Sequence, residues 1–332
     1  MKTYSFGIET VPTALDGDLL AGSVHDGRNY KIMLARLDKE EIKELGFLSG
    51  ENDWEGHSVA KLDGDYLIGG AVEGVATPDG GNGWKAYVAR LDKSLNVIWE
   101  RKLKILGNEA LYSILPDREG AFITGETSNG RDRGFFIGRI TLEGEVLWLR
   151  KLGLWSDAVI SSLIELGGKP VLVGSLKEEK WGVKAFEFTG NGELVAEREL
   201  ADGTALTAAE IGGKIIVGGY RGSDLWVWSE SWEATLPNGV VTSLLPVESG
   251  LLGGGEVEGK AVVIKLDPKG EILWKRELWE RGWVEVLSKS FALGVREEEG
   301  KTVMVASKFL DPIQQPAIDL RVSKNLKPEP TT

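Results

Sequence analysis

The chain has no cysteine, which excludes disulfides, thiolate metal sites and cysteine nucleophiles. Histidine occurs twice, at His25 and His57, too few for a three-histidine zinc site. Glutamine also occurs twice, at Gln314 and Gln315, while Glu, Lys and Arg are plentiful. Scarce thermolabile residues and dense charge are the composition expected of a hyperthermophile. No apolar run approaches the roughly 20 residues a membrane helix needs, so no span is expected. The opening MKTYSFGIETVPTALDGDLL has one Lys and no apolar stretch of signal-peptide length. The expectation is a cytoplasmic protein, or an extracellular one if a leader has been removed. Clustered basic residues are missing too. With 39 Lys and Arg against 51 Asp and Glu, the net charge of −12 repels a nucleic-acid backbone.

What is present is a phrase written three times. LDKSLNVIWERKL (91–103), ITLEGEVLWLRKL (140–152) and LDPKGEILWKREL (266–278) each carry Trp at the ninth place. Extended in both directions, the unit is four short apolar strands joined by Asp/Gly turns and one variable polar loop. In one copy it reads YSILP, DREG, AFITG, ETSNGRDR, GFFIGRI, TLEGE and VLWLRKL. A glycine closing the second strand recurs at Gly22, Gly69, Gly125, Gly174, Gly218, Gly253 and Gly294. Seven four-stranded units of this size predict an all-β fold, a seven-bladed β-propeller of antiparallel blades. The blades are expected at about 1–47, 48–104, 105–152, 153–200, 201–236, 237–279 and 280–323, in one domain, with a disordered tail over 324–332. The ring is closed either by Lys2–Phe6 crossing back or by Ile318–Val322. DKEEIKEL has helical propensity, but the repeat register makes it a strand.

The Trp column reads Glu41, Trp99, Trp148, Ala196, Trp232 and Trp274, and a large aromatic there is expected to fill the seam between neighbouring blades. The glycine column is expected to leave room for a neighbour's side chain. The phrase resembles the short repeat of bacterial and archaeal β-propeller-repeat proteins. It is also similar to the tryptophan-docking repeat of pyrroloquinoline-quinone enzymes. The resemblance covers roughly 300 residues and implies fold rather than chemistry. Those quinone enzymes carry calcium and cofactor ligands, an export signal and usually eight blades. The cofactor is not carried over, and no cofactor is expected.

Chemical motifs are sparse. GVREEEGKT (294–302) resembles a phosphate loop but has the wrong glycine spacing, and its glutamates would repel phosphate. Asp16-Gly17-Asp18 and Asp63-Gly64-Asp65 are hairpin turns in register, without the following Glu of a calcium loop. His57 opens an inner strand, in a column with Thr10, Tyr112 and Ser161. Its neighbour Ser58 points to the opposite face, so the two form no triad. No catalytic residue and no metal ligand is assigned.

Aromatics carry the functional expectation. The variable loops hold tryptophans that the seam does not require: Trp54, Trp84, Trp155, Trp181, Trp279 and Trp283. Tyr30, Trp84 and Trp181 share one column before the third strand, either bracing the loop base or facing solvent. Glu51, Asp53, Glu55, Glu126, Asp157, Glu178 and Glu179 accompany them. The expected binding residues are Trp54, His57, Trp84, Glu126, Trp155, Asp157 and Trp181. Aromatic faces beside carboxylates seat a basic peptide or stack on a sugar. The expected function is a non-enzymatic scaffold for a protein or peptide partner. The alternative is a carbohydrate-active propeller, lectin or glycoside-cleaving, on the same face.

Overall fold

Residues 19 to 24 of the strand Leu19–His25 are all buried. Side chains alternate between the two faces of a strand, so both faces must be covered. Leu19 packs with Trp54, Tyr66 and Tyr87, whereas its neighbour Leu20 packs with Val286, Leu293 and Met304 on the other side. The same continuous burial marks Tyr66–Val72 and most of Gly250–Val257. Sheets apolar on both faces stack side by side, and around a ring they form a propeller.

The computed structural model describes residues 1–38, 41–74 and 83–309. Every element among them is a strand, and no helix is long and apolar enough to cross a membrane. The strands form five separate four-stranded sheets and one sheet of eight. The eight divide into two groups of four at a single parallel bridge, Glu9 to Thr302. The result is a seven-bladed β-propeller of antiparallel, sequentially ordered blades. Seven apolar clusters fill the seven seams, the last joining blade seven to blade one. Lys2–Tyr4 supplies the outer strand of blade seven, pairing with Met304–Ala306. Ile318–Val322 and the tail at 324–332 lie outside the described residues. Glu41–Leu48 is a strand despite its helical propensity, because it is the outer strand of blade one.

The repeated phrase is a docking device. Each full copy begins with a five-residue turn whose fourth residue after the leading apolar one is left-handed: Leu95, Gly144, Gly192 and Gly270. Asp92, Thr141, Thr189 or Asp267 starts that turn and accepts backbone N–H groups from within it. The Trp of the preceding blade lies against the glycine: Trp99 on Gly144, Trp148 on Gly192, Trp232 on Gly270. Trp99 donates its indole N–H to the Leu142 carbonyl at 2.8 Å, and Trp148 to Gly190 at 3.1 Å. The same phrase therefore presents one Trp and receives another.

Exceptions follow the same rule. Ala196 faces blade five, whose outer hairpin has only the two residues between Asp224–Ser229 and Trp232–Leu236 and so no receiving glycine. Trp274 faces blade seven and meets Phe309 at 6.3 Å instead. In blade one the column position, opposite Arg36, is Glu44 and not Glu41. The expected seam-filling is thus half right, since these rings are half-buried caps at the outer edge.

A second column needs correction. Every innermost strand carries a β-bulge, at Thr13, His57, Tyr112, Ser161, Leu206, Thr242 and Glu285. Opposite the residue before each bulge stands a glycine: Gly22, Gly70, Gly125, Gly174, Gly219, Gly255 and Gly294. Gly69, Gly218 and Gly253 were the wrong members of their glycine runs. The reason for glycine also differs. A Cβ at Gly125 would lie 1.9 Å from the Ala110 carbonyl, and one at Gly255 1.9 Å from that of Val240. At six of the seven the bulged strand's own backbone comes closest, whereas at Gly174 a neighbour's side chain does, the Phe135 ring of blade three at 2.6 Å.

Candidate functional site

The innermost strands neighbour one another around the ring, so their bulged residues form a belt at the axis. Three of them tie each blade to the next. Thr13 Oγ1 donates to the Gly56 carbonyl at 2.8 Å and Ser161 Oγ to that of Ala205 at 2.9 Å, while Thr242 reaches Val284. His57 belongs to this column with Thr13, not with Thr10. Ser58, Ser113 and Ser162 follow the bulges, and the latter two accept the Leu163 and Ala208 N–H groups of the next blade. Ser113 and Ser162 are thus architectural, while Ser58 Oγ is buried without a hydrogen bond.

The belt changes character between blades two and three. His57 has no hydroxyl to offer, and its ring stacks on Tyr112 at 4.6 Å, with 27° between the planes. The His57 side chain is 15% exposed, and its Nε2 sits 3.5 Å from Glu55 Oε2 without hydrogen-bond geometry. Burial holds the imidazole neutral and lowers its pKa to about 4. Tyr112 is 38% exposed, and burial plus the charges of Glu126 and Glu55 raise its hydroxyl pKa.

A cavity of about 440 Å³ opens beside this pair, lined by Glu55, Trp84, Glu109, Tyr112, Glu126 and Arg133 among others. Glu55 is held above the usual carboxylate range by burial and by Asp53 and Glu9. Glu126 is raised by burial, offset in part by the Ile160 N–H on its Oε1 at 3.1 Å and by Arg133. That bond to Ile160 is architectural in origin, because Ser23 and Ser175 accept the equivalent N–H groups of Gly56 and Ala205. Arg133 stands at the lip, 54% exposed, with Nη1 3.9 Å from Glu126 and Nε 3.6 Å from Asp157. Among the described residues no group of three or more His, Asp or Glu is placed to hold a metal ion.

Of the expected binding residues, His57, Trp84 and Glu126 come together here, and Asp157 joins them through Arg133. Trp54 does not. It is 9% exposed and packs on Tyr87 at 5.0 Å, because its column, with Thr10, Glu109 and Ala158, faces the blade seam. Trp155 packs on Phe135 at 5.3 Å and on Phe186 at 6.4 Å, in the seam between blades three and four. Trp181 lies on blade four, its carbonyl accepting the Gly203 N–H at 3.2 Å. Tyr30 and Trp84 likewise brace the next blade, through their N–H groups to Asp53 at 2.8 Å and Asn108 at 3.3 Å. Tyr112, Glu109 and Arg133 were not singled out. The one available signal was Tyr112, the bulky member of a column otherwise read as Thr, Ser and His.

A larger cavity, about 580 Å³, lies on the outer half of blade four. Most of its acids are already paired: Asp202 with Lys180 at 2.6 Å, and Glu178 and Glu199 with Lys184, which also pairs Glu197. In the smaller cavity the cations stand farther off, Arg133 3.9 Å from Glu126 and Lys85 3.8 Å from Glu109, and Glu55 is paired with no Lys or Arg among the described residues.

No protein-family model matches the chain. An uncharacterised protein of Aquifex aeolicus is 24% identical over 185 residues, 56% of this chain and 49% of that protein. The chain thus spans about half the length of the curated relative it matches. Among solved structures, a puromycin hydrolase complexed with PGG superposes with a TM-score of 0.60 and 16% identity, over 90% of this chain and 52% of that one. A protein of unknown function from Bacteroides caccae gives 0.50 and 18%, over 79% and 94%. BamB from Moraxella catarrhalis gives 0.49 and 13%, over 90% and 84%. At such identities the likeness is one of fold.

Proposed function

We propose that the chain is a binding scaffold without a catalytic role, taking a basic protein or peptide segment at the loop end of the axis, over blades two to four. The observation that carries this reading is the group of desolvated carboxylates, Glu55 and Glu126, in one cavity with the exposed ring of Tyr112. Desolvated carboxylates next to an aromatic face favour a cation over a neutral or anionic ligand. The carbohydrate reading loses support, because Trp54 and Trp155, its stacking platforms, are taken up by packing. Selection from a displayed random-peptide library, run beside a glycan array, tests the proposal. Enrichment of Lys- or Arg-bearing peptides that is lost in Glu55→Gln supports it. Binding confined to glycans overturns it.

A further inference from the structure

Two of the cavity's acids are half-satisfied, and the third, Glu55, accepts no hydrogen bond from the described residues. Glu126 Oε1 accepts the Ile160 N–H, which leaves Oε2 with only Arg133 at 3.9 Å. Glu109 has a fully buried side chain, and its Oε1 accepts the Leu106 N–H at 2.6 Å. Its Oε2 has no hydrogen bond and lies 3.8 Å from Lys85 Nζ. Lys85 itself donates to the Gly107 carbonyl at 3.3 Å. Glu55 Oε2 faces a neutral imidazole, and no Lys or Arg among the described residues is paired with it. Three carboxylates from three strands thus each keep at least one oxygen short of a donor. A buried acceptor without a donor is costly, and a buried unpaired charge more so.

We propose that this cavity between blades two and three is a binding site for a primary ammonium group on an alkyl chain. It deepens the scaffold reading and rests on it for the source of the ligand, a partner's lysine side chain. An ammonium carries three N–H donors and no acceptor, and matches separate single oxygens. A guanidinium is a planar fork suited to both oxygens of one carboxylate, and Glu126 and Glu109 each already have one oxygen engaged. Tyr112 and Trp84 supply apolar walls for the methylene stem. Arg133 competes for Glu126 from the lip.

The test is calorimetric titration of the full chain with Nα-acetyl-lysine methylamide, its Nε-acetyl derivative and 1,5-diaminopentane. The lysine amide should bind and the Nε-acetyl derivative should not. Glu55→Gln and Glu126→Gln should each weaken binding roughly tenfold. The amide oxygen introduced by Glu126→Gln still accepts the Ile160 N–H, so that variant should still fold. Arg133→Ala should tighten binding by roughly twofold or more, because a competing cation leaves. General damage to the site would weaken binding in every variant, so this opposite sign is diagnostic. A diamine that binds more tightly than the lysine amide would keep the ammonium site and assign it to a free polyamine. Equal binding of the Nε-acetyl derivative, or undiminished affinity in both folded glutamine variants, overturns the site. If no probe binds while displayed peptides still depend on Glu55, this inference fails and the scaffold reading stands. If the probe binds and no peptide is selected, the site stands and the scaffold reading falls.

Discussion

Gly144 leaves its backbone bare against the indole of Trp99 in the preceding blade. A Cβ on Gly144 would lie 2.7 Å from the ring, in a backbone already left-handed at φ 81°. Ring and glycine belong to different blades, so neither has a purpose without the other.

Trp99→Ala should cost about 2–3 kcal/mol, for the half-buried ring and its bond to Leu142. Gly144→Ala should cost about 1–3 kcal/mol by displacing the same ring. The double variant should lose less than the sum, a coupling read from denaturant unfolding. Strict additivity would refute the docking. Ala196→Trp should gain nothing, because blade five offers no receiving glycine.

The bulge column makes a separate prediction. Gly125→Ala drives a methyl into the Ala110 carbonyl and should cost about 2–3 kcal/mol. Gly130, left-handed at φ 89°, has open space around it, and Gly130→Ala should cost only about 1 kcal/mol. Equal costs would mean that the bulges tolerate rearrangement.

Two belt residues set opposite pH dependences. Burial raises Glu285 to about 7, with the Trp283 indole N–H partly opposing. Its folded pKa exceeds the unfolded value, so its contribution is full below about pH 4.5 and is lost as pH rises through 7. His57 is depressed to about 4, so its contribution is full above about pH 6.5 and is lost on acidification towards 4. Each effect should reach about 3 kcal/mol. Glu285→Gln should abolish the fall in stability on the alkaline side, and His57→Gln the fall on the acid side. Urea midpoints from pH 4 to 8 check both, and unchanged profiles would place these groups in contact with water.

Trp54→Ala should destabilise by about 3–5 kcal/mol, as for any emptied aromatic core site, and leave ligand affinity of the folded fraction intact. Tyr112→Ala should do the reverse. Affinity loss from Trp54→Ala at an unchanged melting temperature would return that residue to the binding surface.

The fold was legible because turn chemistry repeats: Asp92, Thr141, Thr189 and Asp267 start the same turn and mark the register of the outer strands. The belt was not legible, because a bulge inserts a residue without a compositional mark. Thr10 rather than Thr13 was therefore aligned with His57, and Gly69 rather than Gly70 was taken from a glycine pair. Acids were recognised at Glu126 and Asp157, but sequence cannot tell which tryptophans a seam consumes. Trp54 and Trp84 sit in similar polar surroundings along the chain, and only the neighbouring blade separates the buried one from the one at the cavity.

The pairing of Lys2 with Ala306 has a consequence for how the molecule is made. Lys2–Tyr4 leaves the ribosome ahead of all seven blades and is the last to find its place, since its partner emerges some three hundred residues later. Until then blade seven cannot be completed and both ends of the growing arc expose unpaired edges. Once latched, the described strands form a closed ring, and releasing that short strand is the least costly way to open it. A chain without residues 2–4 should therefore keep most of its equilibrium contacts and yet unfold far faster. The latch acts on the lifetime of the native state more than on its energy.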